Sequence, residues 1–319
     1  MVVDSIKIVT LLPSATELVC ALGLQESLVG RSHECDFPAT IQSLPVCTQA
    51  SVDLAGTSSD IDTAIQQIGL RQQTTPTESS ASLYAVSAQI LSRLKPSHII
   101  TQAQCDVCAV NLVNVESAIS EVPSFSPEII SLGATTLTGI WNEVLLLATA
   151  LGAAESGVEL VTNLEERLAR IESLTKTVPV RPRVAVIEWA TPLMAAGNWT
   201  PELIQIAGGD NLFGSPGQHS PWIDYHNLTD KDPDVILIAP CGYDLDRTAR
   251  DIGLLEKKPE WNQLRAVHND QVFIADGNQF FNRPGPRLVE SVEILAEILH
   301  PQLFEFGHEG FGWKRYRPS

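Results

Sequence analysis

The chain has 319 residues and a formal net charge of −17, from 21 Lys and Arg against 38 Asp and Glu. That length buries a sizeable core and favours two domains, and the acidic balance argues against nucleic acid or an anionic membrane as partner. No stretch approaches the roughly 20 apolar residues of a membrane span, and MVVDSIKIVTLLP shows no export-signal pattern. The expectation is a soluble cytoplasmic protein without membrane insertion, or a periplasmic one if a leader has been removed.

Ile6–Leu12 reads as a buried strand. Ser14 with Glu17 reads as a capping box opening the helix Ala15–Gly23. Leu28–Arg31 is a second strand, running into Ser32-His33-Glu34-Cys35-Asp36. Residues 48–82 are rich in Ser, Thr, Gln and Asp and read as a surface excursion around a helix at Ile61–Ile68. Leu83–Leu94 is expected helical, and the strand after Pro96 ends at Thr101-Gln102. Asn114–Ile119, Glu128–Ser131 and Thr138–Leu151 read as helix, strand and helix.

The longest helical pattern is Glu155–Thr177. Its apolar residues Val158, Val161, Leu164, Leu168, Ile171 and Leu174 form one stripe at steps of three and four, and Pro179 and Pro182 forbid continuation. It reads equally as a strut between two α/β lobes or as a crossover helix inside one large domain. Beyond it come the strand Arg183–Ile187, a Gly/Asn loop at Met194–Trp199, a helix from Pro201 to Ala207, strands at Asp234–Ala239 and Gln271–Ala275, and a helix at Arg287–Leu299. The expected division is a lobe over 1–138, a connecting helical segment over 139–179 and a second lobe over 180–319.

In open α/β sheets ligands bind beyond the carboxyl ends of the strands. The first lobe offers Pro13, Ser14, His33, Glu34 and Gln102 there. The second offers Glu188, Trp189, Asn198, Trp199, Tyr243, Asn278, Phe280 and Arg283. Aromatics and amides of this kind suit a large ligand with flat apolar faces and polar rims. Singly, Trp189 and Trp199 are more often core, but Gly197 and Asn198 place Trp199 on a turn and favour its exposure. A lone His33 is more often structural, Glu34 and Glu188 fit solvated carboxylates, and Arg283 could merely tie its loop.

Six cysteines are few for a disulfide scaffold of this size. Cys20 sits on the apolar face of its helix as a small hydrophobe. Cys35, the pair Cys105 and Cys108, and Cys241 all follow strands, which makes a thiolate site for zinc or an iron-sulfur cluster a candidate, with His33 or Glu34 as a harder ligand. The competing reading leaves them as unrelated loop residues. Nucleophile elbows, phosphate-cradling glycine loops, helix-borne zinc His pairs and dinucleotide fingerprints are absent, so no enzyme is expected.

The opening IVTLLPSATELVCALGLQESLVGRSHECDFP, with LKPSHIITQ, PRVAVIEW, GNWTPELIQIAGG, DPDVILIAPCGYDL and DGNQFFNRPGPRLVESVEILAEIL, resembles class III periplasmic-type substrate-binding proteins, especially the cobalamin-binding proteins of ABC importers. The resemblance covers nearly the whole chain. It implies an α/β fold of two Rossmann-like lobes joined by a single long helix, the helical-backbone metal-receptor type. It further implies limited hinge motion, a corrinoid, haem, siderophore or metal chelate held between the lobes, and, for an exported member, an ABC permease whose arginines receive acidic residues of the lobe tops. A periplasmic shuttle without an export signal cannot reach its permease, and ordinary cobalamin-binding members do not need the strand-end cysteines, so the expectation is a cytoplasmic relative with room for a different ligand. Its leading function is non-catalytic binding of cobalamin or a related corrinoid, tetrapyrrole or metal chelate. Two alternatives stand beside it: a cysteine-ligated metal or iron-sulfur protein with a redox or enzymatic role, and a partner-binding module without a small ligand.

Overall fold

The computed structural model describes residues 6–51, 55–74 (backbone alone over 68–74), 84–103, 110, 112–122 and 126–317. Contacts group residues 1–56, 63–134 and 139–161 into one compact unit and 57–62, 135–138 and 162–319 into a second.

The first part of the chain contributes β1 (Ile8–Thr10), α1 (Pro13–Ala21), β2 (Leu28–Arg31), β3 (Thr48–Ala50), α2 (Ser58–Thr74), β4 (Tyr84–Val86), α3 (Ala88–Leu94), β5 (His98–Gln102), α4 (Leu112–Ser120), β6 (Glu128–Leu132) and α5 (Leu137–Ala150). Four strands form a sheet in the order β2-β1-β5-β6, parallel throughout. Ile8, Val9, Ile99 and Ile100 have no exposed surface, as strands covered on both faces require.

Three local expectations are corrected here. The N-cap of α1 is Leu12, with Pro13 in the first helical turn and no side-chain capping bond, so Ser14 and Glu17 do not form a capping box. Proline suits that position because its fixed φ matches the helix and its missing N–H would have lacked a helical partner. The expected helix from Leu83 begins only at Ala88, where Ser87 caps it by accepting the Ile90 N–H. Tyr84–Val86 instead pairs antiparallel with Thr48–Ala50, so part of the supposed excursion is a two-stranded sheet.

Helix α6 spans Ala154–Thr175, 22 residues. Val161, Leu164, Leu168 and Ile171 of its stripe are buried, whereas Val158 and Leu174 are 58% and 48% exposed, so the stripe is covered only in its middle. Residues up to Val161 belong to the first unit and those from Thr162 to the second.

The remaining elements are β7 (Arg183–Trp189), β8 (Met194–Ala195), α7 (Thr200–Ile206), β9 (Asp210–Asn211), α8 (Tyr225–Lys231), β10 (Val235–Ile238), α9 (Leu245–Asp251), α10 (Gly253–Glu256), α11 (Arg265–His268), β11 (Val272–Ala275), α12 (Leu288–Leu299) and β12 (Trp313–Arg315). Their sheet runs β12-β11-β10-β7-β8, with β9 beside β7. β7, β10 and β11 are mutually parallel, while β8 and β12 run antiparallel to their neighbours. Met194–Ala195, expected as loop, is therefore a short strand. Helix α8 opens with a reciprocal cap in which Asp224 accepts the Asn227 N–H and Asn227 Oδ1 accepts the Asp224 N–H.

Helix α12 also holds the C-terminal segment. Glu297 accepts the N–H of Gly307 at 2.6 Å, those of Phe306 and His308, and the Trp313 indole N–H at 2.7 Å. One turn earlier, Glu293 receives the Arg167 guanidinium of α6 at 2.6 Å and stands 2.9 Å from His308 Nε2. These bonds hold the Glu293 carboxyl below its ordinary pKa against the opposing pull of burial.

Candidate functional site

Parallel pairing of β7, β10 and β11 puts their carboxyl ends on one edge of the second unit. The side chains nominated there form a connected patch. Trp189, half-buried, packs edge-on against Tyr243 with ring centroids 5.5 Å apart. The Arg247 guanidinium of α9 lies 3.7 Å over the Tyr243 ring, a close cation–π contact. Asn278 donates its N–H to the Tyr243 carbonyl, and its side-chain oxygen accepts from Arg283 Nη2 at 3.0 Å. Tyr243 is 1% exposed, and burial is the main cause that pushes its phenol up to about 12.

Glu188 is set by a β-bulge. Ile187 pairs with Ala195 and Trp189 with Met194, so β7 advances two residues while β8 advances one, and Glu188 is the extra residue. Ser220 donates to its carboxylate at 2.8 Å. Burial raises the Glu188 pKa, opposed by the bonds from Ser220 and the Gly197 N–H and by His219. Glu188 is thus a hydrogen-bonded carboxyl rather than a freely solvated one. Gly197 is demanded here, because a Cβ would stand 2.6 Å from Ser220 N and 2.7 Å from Gln218 O. Asn198 follows at φ 51° and donates its N–H to the Gln218 carbonyl.

The turn beside Trp199 is real, but the expected exposure is corrected. Trp199 is 4% exposed, and its indole N–H donates to the Phe281 carbonyl at 2.6 Å. Phe280 is likewise buried, packed against His308 and Phe311 and under Arg287. The Phe281 carbonyl draws the Trp199 indole inward, and His308, Phe311 and Arg287 cover Phe280.

Sequence reading missed two partners of Trp189. Met194 pairs with Trp189 on one side and forms an antiparallel bridge to Trp222 on the other. Directly opposite residues project to the same sheet face, so Trp189, Met194 and Trp222 stand in one row, with Trp222 58% exposed. The signal was available only as Pro-Trp after a glycine-rich loop, which is weak without the pairing.

In the first unit, His33 and Glu34 follow β2. Thr48 of β3 accepts the His33 N–H and lies 2.7 Å from His33 Nδ1, and the Tyr84 hydroxyl of β4 donates to Glu34 at 3.1 Å. The His33 and Tyr84 rings are 5.5 Å apart. Burial, aided by the nearby Arg31 charge, lowers the His33 pKa. Pro13 is half-buried, and Ser14 and Gln102 are buried. Thr48 and Tyr84 escaped sequence reading because the β3–β4 pair did.

The thiolate site finds no support among the described residues, where no group of three or more His, Cys, Asp or Glu could hold a metal. Cys35 is buried and its sulfur accepts a bond from Thr16 Oγ1 at 3.0 Å, while Cys241 is half-buried in the loop after β10. Cys105 and Cys108 lie outside the described residues. Burial pushes the thiols of Cys20 and Cys47 up to about 11 and about 12, which keeps them protonated and inert. Among the described residues, no helix is long and apolar enough to cross a membrane.

The sequence pattern of the family described as "Periplasmic binding protein" matches residues 8–278. An ABC transporter substrate-binding lipoprotein of Bacillus subtilis, YvrC, is 23% identical over 309 residues, covering 94% of this chain and 81% of its own. A vitamin B12-binding protein of Photorhabdus laumondii is 22% identical over 303 residues, covering 92% of this chain and 88% of its own. The crystal structure of a periplasmic heme-binding protein from Pseudomonas aeruginosa superposes with a TM-score of 0.67 at 19% identity, covering 92% of each chain.

Proposed function

The chain belongs to the periplasmic binding protein family, and on that premise we propose that it is a non-catalytic binder of cobalamin or a related corrinoid, tetrapyrrole or metal chelate. Solute binding is the business of the family; the ligand is the new element. The observation that carries it is the row Trp189, Met194 and Trp222, backed by the buried Tyr243 ring with Arg247 over it. Strands stand about 4.8 Å apart, so the three side chains of this row offer a largely apolar platform on the order of 10 Å long. A flat macrocycle lies on such a platform, with the half-buried Asn278, held by the buried Arg283, nearest its polar rim. In the first unit, His33, Glu34 and Tyr84 form a separate polar group at a strand edge.

Relatives described as lipoprotein and as vitamin B12-binding support a role outside the cytoplasm, as the receptor that delivers its solute to an ABC permease. That reading replaces the expectation of a cytoplasmic protein, which the lipoprotein and periplasmic relatives named above do not support. The test is titration of the purified chain with cyanocobalamin and with hemin, followed by tryptophan fluorescence and the visible spectrum. Saturable quenching with one of them is the expected result; no quenching and no spectral change with either would overturn the reading.

A further inference from the structure

We propose that Ser58, Thr248 and Asp251 form a buried site for a monovalent cation of the sodium class. Asp251, the last residue of α9, is 3% exposed, and Ser58 and Thr248 have no exposed surface. The Ser58 N–H donates to Asp251 Oδ1 at 3.1 Å, which ties the first residue of α2 to the end of α9. Residues 57–62 and α9 belong to the same compact unit. Thr248 lies three residues before Asp251 on one helix, so the two side chains share a face about 5–6 Å apart at Cβ. Three oxygens of these neighbouring residues, Asp251 Oδ2, Thr248 Oγ1 and Ser58 Oγ, are buried and have no hydrogen-bond partner.

A buried carboxylate with one neutral N–H for company carries a large desolvation cost. Of the two cations on its own helix, the neighbouring Arg250 is exposed to solvent, and the guanidinium of Arg247, one turn earlier, is engaged over the Tyr243 ring. The acid nearest Ser58 in sequence, Asp60, is exposed and bonded to Thr57. The unmet demand is therefore for one positive charge that accepts hard oxygen ligands. One carboxylate and two hydroxyls supply a single negative charge, which balances a monovalent ion. A divalent ion such as calcium takes 6–8 oxygens, commonly with several carboxylates, and soft metals prefer sulfur and imidazole.

The test is thermal unfolding of the intact chain across a sodium chloride series, with ionic strength held constant by N-methyl-D-glucamine chloride. Tm should rise by roughly 2 °C per tenfold increase in sodium above its Kd, since the ion binds only the folded state. Asp251→Asn and, separately, Thr248→Val should remove the sodium dependence while still folding cooperatively. Two variants keep the proposal open to refutation should one of them fail to fold. A Tm that does not distinguish sodium from N-methyl-D-glucamine would mean that these oxygens hold only water, and would overturn the site. Stabilisation by calcium at micromolar levels with none by sodium would overturn the monovalent assignment. Neither outcome bears on the macrocycle titration.

Discussion

Replacing Trp189 with alanine separates the ligand platform from the core. The indole is half-buried and touches Tyr243 edge-on at 5.5 Å, so the fold loses one aromatic pair worth about 0.5–1.5 kcal/mol and part of the indole's packing. A tryptophan buries about 150–250 Å² when covered, and a macrocycle lying on its open face removes about 100 Å² of that from water. At roughly 25 cal/mol per Å² this is about 2.5 kcal/mol, and stacking adds about 1 kcal/mol. The sum, about 3.5 kcal/mol, corresponds to a loss of affinity on the order of several hundredfold. Calorimetric titration of wild type and Trp189→Ala with whichever macrocycle binds measures it, beside a thermal melt that should fall by only a few degrees. Unchanged affinity in the variant would refute the placement of the ligand on this row.

Trp199→Ala should behave in the opposite way, costing about 3–5 kcal/mol of stability for the buried ring and leaving the Phe281 carbonyl unpaired. Circular dichroism melts would show it, and a melt equal to wild type would mean that the indole is not core. Gly197→Ala should destabilise by about 1–3 kcal/mol through overpacking, because its Cβ meets backbone atoms of the 218–220 loop rather than a yielding side chain. Urea midpoints check this, with an unchanged midpoint as the contrary result. His33 and His300 are both held below the ordinary histidine value, chiefly by burial. Below pH about 6.5 the unfolded chain therefore takes up protons that the folded chain refuses, and their contribution to stability falls as pH drops. Urea unfolding at pH 7.5 and 5.5 should show a smaller acid loss in the His33→Asn, His300→Asn variant than in wild type, and an equal loss would count against the argument.

The parts of the fold written in continuous apolar runs were legible. Strands β1, β5, β7, β10 and β11 are runs of Val, Ile, Leu and Phe, and a residue buried on both faces of a parallel sheet must be apolar whatever its neighbours do. Strands β3 and β4 were not legible, since Thr-Gln-Ala and Tyr-Ala-Val gain their structure from a partner more than thirty positions away. The candidate site divides along the same line. Strand-end position brought together Trp189, Tyr243, Asn278 and Arg283, which are in contact, whereas Glu188 turns to Ser220 instead. The direction of a side chain depends on distant contacts, and so Trp199, correctly placed on a turn, was misjudged: the Phe281 carbonyl that draws its indole inward lies 82 residues on. Trp222 was missed for the complementary reason, as only the bridge to Met194 places it beside Trp189.

The way α12 holds the C-terminal segment bears on the boundary of the second sheet. Without β12, strand β11 would present an unpaired rim of N–H and C=O groups beside a core of Val272, Phe273 and Ile274. A bare rim of that kind recruits strands from other molecules. β12 pairs along it antiparallel, the Glu297 bonds fix its entry, and its own outer residues Lys314 and Arg315 are exposed. The sheet therefore ends in a short strand with two cations, which discourages intermolecular strand addition.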